Sequence, residues 1–446
     1  MLRFAVAICS ALALAVPALA AEADTTRAFH VLAYDIELRP DFAAKTISGT
    51  ERIRPRSLSD RLAEISFSAN ALDIFASTPS EIIASEIVGG HRVFHLPKPL
   101  RAGQVAFLIF SFNGPAPKGL VFGENTVYAN YFTCDALICD QDRPGDKAPL
   151  DISLILPPGM EAVAPGRLLG RTKSAEGAER WHWHEQRPTA PYLIGFAAGQ
   201  LQHVTLPGKS PALSVLSNGA PADRVRAMFA DTRRMLDFFE EKSGIRFDND
   251  SYTQVLVDGD EAQEAARHSI IGKDEIEPIL ADRQEDWVIA HELAHQWWGN
   301  SLTCADWSEL WLNEGVTVFM IAAYKEQRWG RAAYDRELAL ANKRWAAAKA
   351  QGFDVPLSWQ GEYPSLKLKR AMAYAKSVVF LDKLRTALGD ATFWRAMKSY
   401  TRAHRNGVVT AIDLQRAFET ASGKSLSPLF GEWVFGTAVE PRTPKP

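Results

Sequence analysis

The feature that most restricts how this chain can fold is a single change of hydrophobic period. From about Glu22 to Val204, apolar and polar residues alternate in short runs: Val31 to Leu38, Val105 to Phe112, Leu150 to Leu156 and Leu193 to Phe196. Turn residues separate them, among them Pro40-Asp41, Gly89-Gly90 and Pro157-Pro158-Gly159. Period two buries one face of a strand, so this stretch predicts an all-β sandwich or saddle. After Gly208 the period becomes helical. Val225, Met228, Phe229, Thr232, Met235, Leu236 and Phe239 share one stripe that starts behind Pro221 and ends at Gly244. A strand follows, Tyr252 to Val257, then helices to about Phe435, one capped by Thr410 with Asp413 and ended by Gly423. The expected architecture is multidomain: an N-terminal all-β domain over 21–205, a mostly helical α+β domain over 206–440 and a loose tail at 441–446.

The first twenty residues predict a signal peptide. Arg3 precedes an apolar run from Phe4 to Val16, too short to span a bilayer, and Pro17-Ala18-Leu19-Ala20 supplies the small residues of a cleavage site. An uncleaved anchor is the alternative. No later segment reaches about eighteen continuous apolar residues, so no stable membrane insertion is expected after cleavage. Export, most simply to a bacterial periplasm, follows. A net charge of −3 argues against nucleic acid as a partner. Of the four cysteines, Cys9 leaves with the signal. Cys134 and Cys139 either form a bridge or remain two buried thiols, and Cys304 is left over.

The chemistry-bearing motif is His291-Glu292-Leu293-Ala294-His295, followed by Glu314. Residues four apart share a helix face, so both imidazoles can reach one ion. Asp286 to Ala294 reads as a helix with Trp287, Ile289, Ala290, Leu293 and Ala294 on its apolar side. Asp282 with Glu285 resembles a capping box before it, and Gly299-Asn300 stops it. A second helix, roughly Leu310 to Gln327, carries Glu314 near its start as the third ligand of a hydrolytic zinc site. Glu292 leaves the helix about 100° from His291. That direction suits proton transfer better than ligation.

HELAHQWWGN, the gap to WLNEG and a later Tyr-x-Lys resemble the aminopeptidase N (membrane alanyl aminopeptidase-like) family of gluzincin zinc metallopeptidases. The resemblance extends to HVLAYDIELRPDFAAKTISGTERI, CDQDRPGDKAPLDISLILP, APYLIGFAAGQL and TAIDLQRAFETASGKSLSPLFGEWV. It implies a thermolysin-like second domain, one Zn2+ per chain and peptide substrates. It also implies that Tyr374, in AYAKSVVFLDKLRTALG, donates a hydrogen bond to the developing oxyanion. Larger members continue with C-terminal domains, so the chain reads as a short form with a more open cleft. Ser377 stands where the family usually has glycine.

The family recognises a free α-ammonium with a glutamate in a Gly-x-Met-Glu-Asn strand, and that motif is missing. The corresponding stretch is Val257 to Ala266. Glu264, with Gln263 beside it, is the candidate for substrate binding, and Glu261 is the runner-up. The remaining expectations are weaker. Trp297 and Trp298 read as packing residues. Asn313 and Asp306 are candidates to orient ligands, and Lys367, Lys369 and Arg370 to meet a substrate carboxylate, with a solvated face as the alternative. The resulting expectation is an exported zinc aminopeptidase. A zinc endopeptidase, a dipeptide-releasing peptidase or a non-catalytic peptide-binding module on the same fold are the alternatives.

Overall fold

The computed structural model describes residues 28–436 apart from positions 70, 80, 81, 83, 176 and 209. The expected signal segment and the expected loose tail lie outside the described residues.

The first half is built on a seven-stranded sheet with Phe29–Asp41 at its centre. In sheet order the strands are Arg167–Lys173, Glu179–Thr189, Ala148–Leu156, Phe29–Asp41, Thr46–Ser57, Leu108–Gly114 and Asp73–Thr78. Phe29–Asp41 runs parallel to Ala148–Leu156 (Ile36 opposite Ile152) and antiparallel to Thr46–Ser57 (Leu38 opposite Gly49). Alternation does the work the sequence suggests: Val31, Ile36, Leu38, Ile47 and Ile53 are all fully buried. A three-stranded sheet, Leu62–Phe67, His91–Leu100 and Ala84–Val88, closes over this face. Phe94 seals the join against Phe110, with ring centroids 4.8 Å apart. Cys134 and Cys139 are bridged, and Cys304 is buried and free.

The predicted strand from Leu193 to Phe196 is not one. Pro191–Leu193 forms a 3-10 turn, and the strand begins only at Ala197–Gly199. Pro191 fixes φ and supplies no N–H, and Tyr192, Leu193, Ile194 and Phe196 are all buried. An apolar run without a solvent face carries no period to read.

The second half starts from a five-stranded sheet: Gln202–Thr205, Ala212–Ser217, Ser251–Val257, His268–Gly272 and, at the edge, Ala262–Ala265. It therefore begins at Gln202, upstream of the boundary expected at 205/206. The helical stripe is two helices, Ala222–Met228 and Thr232–Ser243, and Gly244 ends the second with φ +67°. The helices Trp287–Ala294 and Trp311–Trp329 pack at the centre of a core that includes Phe239, Leu293, Trp297, Trp298, Phe319 and Tyr324. The capping box of Thr410 with Asp413 is present at the start of Ala411–Ser422.

The halves share an apolar seam in which Tyr128, Val163 and Ala197 pack with Leu216, Val255, Val257 and Ile270. One lysine crosses the joint. Lys147 Nζ, almost fully buried, donates to the carbonyl oxygens of Asn300 (2.9 Å), Ser301 (2.8 Å) and Gly407 (3.2 Å).

The start of the histidine helix differs from the expected capping box. Asp282 caps a 3-10 turn, Arg283–Glu285, by accepting from Gln284 N at 2.9 Å. Asp286 then opens the helix with no exposure and with no hydrogen bond to either carboxylate oxygen. Burial, only partly offset by Lys325, pushes its carboxyl up to about 7. An ordinary Asp titrates near 3.9 in the unfolded chain. The stabilisation from the protonated form is therefore complete below about pH 4 and is lost as pH rises through about 7. Asp286→Asn should remove this slope. In thermal unfolding its Tm relative to the parent should rise between about pH 4 and pH 7 and level off above that, and a constant difference would refute the assignment.

Candidate metal centre and active site

His291 and His295 stand one turn apart on Trp287–Ala294 and its C-cap, and Trp311–Trp329 brings Glu314 against them. Their ligand atoms form a small triangle. His291 Nε2 and His295 Nε2 are 3.1 Å apart, and Glu314 Oε2 lies 3.3 Å from the first and 3.4 Å from the second. All three residues are buried. A tetrahedral site with bonds of about 2.0–2.1 Å spaces its donors about 3.3–3.4 Å apart. The triangle has that size, and Glu314 Oε2 has no hydrogen-bond partner. The residues present fit a divalent cation.

Two contacts set the His295 ring. Its Nδ1 lies 2.9 Å from Trp298 O, which accepts a proton there and leaves Nε2 to face the triangle. Thr317 Oγ1 approaches the same Nδ1 at 3.3 Å and donates to Asn313 O at 2.7 Å. Thr317 was missed in the sequence. Its signal was its place three residues after Glu314, on the same helix face.

Two further carboxylates converge here. Glu292 is buried, with one oxygen unpartnered, and Glu264 groups with Glu292 and His295 as a second possible ligand set. Burial pushes Glu264 up to about 7 and Glu292 well above the usual range. On Glu314 burial also acts upward, but the His295 charge and the close approach of both imidazoles hold it low. Burial would lower His295, but Glu264 and Glu314 outweigh it and push it up to about 10. Three carboxylates thus face two imidazoles in a dry site, an imbalance that a dication relieves.

Glu264 lies in the edge strand Ala262–Ala265, opposite Ser269. The structure does not bring the other two substrate-binding candidates to the cluster. Gln263 pairs with Ile270 and alternates to the opposite face, where Ile270 packs with Tyr128 and Val255. Glu261 sits beside Tyr128, whose phenol pKa rises through burial and then through the Glu261 charge.

Tyr374 lies in a widened π-helical turn, Ala371–Lys376, between Leu366–Arg370 and Ser377–Leu388. Its ring stacks near His291 (centroids 6.1 Å, 19° between planes). Burial, then the Glu314 charge, lifts its phenol pKa well above 10, so it stays protonated and able to donate. Lys376 anchors the turn by donating to Asp354 Oδ1 (2.8 Å) and Val355 O (2.7 Å).

The weaker candidates take structural places. Asn313 accepts from Cys304 N and donates to Tyr192 OH rather than orienting a ligand, and Asp306 caps the turn Trp307–Glu309. Trp297 and Trp298 are packed, with their indole N–H groups bonded to Ile245 O and Thr401 Oγ1. Lys367 and Arg370 are exposed and Lys369 is half-buried. Of the three, Arg370 acts electrostatically on both His291 and Tyr374.

Residues 228–433 match the peptidase family M1 domain. The fold is shared with the M1 zinc metallopeptidase of Deinococcus radiodurans (TM-score 0.73, 22% identity, 94% of this chain and 97% of that one). It is also shared with a mutant M1 zinc metallopeptidase from the same organism bound to Tyr-ser-ala substrate (TM-score 0.76, 23% identity, 93% and 96%). The fold is that of the two-domain M1 zinc metallopeptidases. Over the matched residues the chain is similar to aminopeptidase N. It is 27% identical to aminopeptidase N of Lactococcus lactis subsp. lactis over 68% of this chain and 38% of that protein. It is 28% identical to aminopeptidase N of Caulobacter vibrioides over 60% and 32%. The chain thus spans well under half the length of these curated relatives.

Ser377 explains a tight joint in the site. A Cβ on Gly315, the residue after Glu314, would lie 2.2 Å from Ser377 Cβ and 2.9 Å from Ala373 O. The Glu314 helix and the Tyr374 turn therefore meet backbone to side chain. Gly315→Ala should push them apart, costing about 1–3 kcal/mol of stability and weakening zinc affinity by chelator competition. Adding Ser377→Gly should recover part of the loss, the contact with Ala373 O remaining, and equal behaviour of the single and double variants would contradict the packing.

Proposed function

We propose that this chain is an exported zinc-dependent aminopeptidase. The observation that carries the reading is the convergence of Glu264 and Glu292 on the His291–His295–Glu314 triangle. His291, His295 and Glu314 would hold one zinc ion, and the two-nitrogen, one-oxygen donor set suits that metal. Bound there, the metal would supply Lewis-acid chemistry, polarising a carbonyl and making a water more acidic, from a pKa of about 15.7 towards roughly 7.

Glu292 takes the proton that the attacking water loses and returns it to the leaving amine nitrogen. The Tyr374 O–H donates to the substrate carbonyl oxygen, a bond that strengthens as negative charge develops. Glu264 accepts from the substrate α-ammonium in a charge-assisted hydrogen bond. Its place at the sheet edge beside the triangle favours aminopeptidase action over the endopeptidase and dipeptide-releasing readings. The Cys134–Cys139 bridge and the leader-like start support an oxidising, exported compartment such as a periplasm.

The test is cleavage of one peptide with a free and with an acetylated N-terminus. The free form should be cut and the acetylated form spared, and a chelator should stop cleavage. Equal cleavage of both would favour the endopeptidase reading. Glu292→Gln should keep one zinc per chain by elemental analysis while turnover falls by roughly 10²–10⁴-fold. Undiminished turnover in that variant would remove Glu292 from the mechanism.

A further inference from the structure

Strands Ala262–Ala265 and His268–Gly272 are joined by two residues, Ala266 and Arg267. Such a connection needs a left-handed residue, usually glycine or asparagine. Here the residue is an arginine: Arg267 has φ +73°. A non-glycine residue persists in this region only where its surroundings over-determine it.

The surroundings do so from three other parts of the chain. Arg267 Nε donates to Glu185 Oε2 (2.6 Å), from strand Glu179–Thr189 in the first half. Its Nη1 donates to Asp248 Oδ1 (3.1 Å), and Arg187 and Arg405 pair with the same aspartate. The Arg267 side chain is nearly buried and its guanidinium lies over the Phe247 ring. Gln296, the residue after His295, reads the turn directly. Its Oε1 accepts from Arg267 N (3.0 Å) and its Nε2 donates to Ala265 O (3.0 Å). Asn300 Nδ2 donates to the same carbonyl (2.9 Å). The turn is tied to the histidine helix on one side and to the guanidinium anchor on the other. Glu264 stands two residues before the turn, in the second ladder pair from it (opposite Ser269), on the strand that these bonds align.

We propose that Arg267 is the positioning residue for Glu264: its ion pairs to Glu185 and Asp248 hold the left-handed turn that sets the Glu264 carboxylate against the His291–His295–Glu314 triangle. This rests on reading Glu264 as the group that binds the substrate amine. Side-chain anchoring and backbone conformation make separable demands. Alanine removes the anchor and keeps the cost of positive φ, whereas glycine removes the anchor and the cost together.

The test compares zinc-loaded parent, Arg267→Ala and Arg267→Gly on the tripeptide Ala-Ala-Ala, with zinc content and thermal unfolding measured alongside. For Arg267→Ala, KM should rise about tenfold with kcat within about twofold and one zinc retained. Arg267→Gly should recover more than half of that KM change. Unchanged KM in Arg267→Ala overturns the proposal, as do equal defects in both variants with zinc content and kcat falling together. If Arg267→Ala does not fold, Glu185→Gln replaces it: a severalfold rise in KM supports the assignment and an unchanged KM overturns it. Should the parent itself cut free and acetylated peptides equally, the amine-binding role of Glu264 fails and this proposal falls with it. That outcome is read from the parent alone.

Discussion

Everything in the catalytic half is arranged around a buried excess of negative charge. Glu264, Glu292 and Glu314 are buried in one cluster beside His291 and His295. Ionised carboxylates in such a place are costly unless matched by positive charge. On the proposed reading each carboxylate has a cationic counterpart: the metal for Glu314, the substrate amine for Glu264 and a travelling proton for Glu292. On that reading the imbalance that makes the bare site unfavourable would also favour ligands carrying positive charge.

The two halves divide this task. The second half supplies the triangle from two adjacent helices. The edge strand bearing Glu264 hangs at the boundary and is held in register partly by the first half, through Glu185. Tyr374 reaches in from a third direction, on a widened turn braced by Lys376. The cleft is thus an assembly of separately anchored pieces, and its geometry depends on the joints as much as on the groups that meet there.

How much of this the sequence could tell follows from range. The spacing of His291 and His295 is a statement about one helical turn and needs no tertiary knowledge. Glu314 lay close enough along the chain, near the start of the next helix, to be read the same way. Glu264 was reached through a resemblance despite altered neighbours, whereas Gln263 and Glu261 were grouped with it because sequence proximity does not reveal which face of a strand a residue takes. Only the observed register separates them. Leu193 to Phe196 misled because burial on all sides erases the alternation that identifies a strand. Arg267 was invisible: arginine is a poor advertisement for a left-handed turn, and the partners that fix it, Glu185 and Asp248, are remote or unremarkable until folded.

Lys147 bears on how this chain can be dissected. Its ammonium satisfies carbonyls of Asn300, Ser301 and Gly407, so two segments of the catalytic half complete their hydrogen bonding with a donor from the β half. Cut away, the helical portion would lose a donor shared by three carbonyls and would uncover an apolar seam at that point. The two portions are therefore poor candidates for modular exchange. A graft of this catalytic half onto another scaffold would have to bring a cation of its own to the same spot.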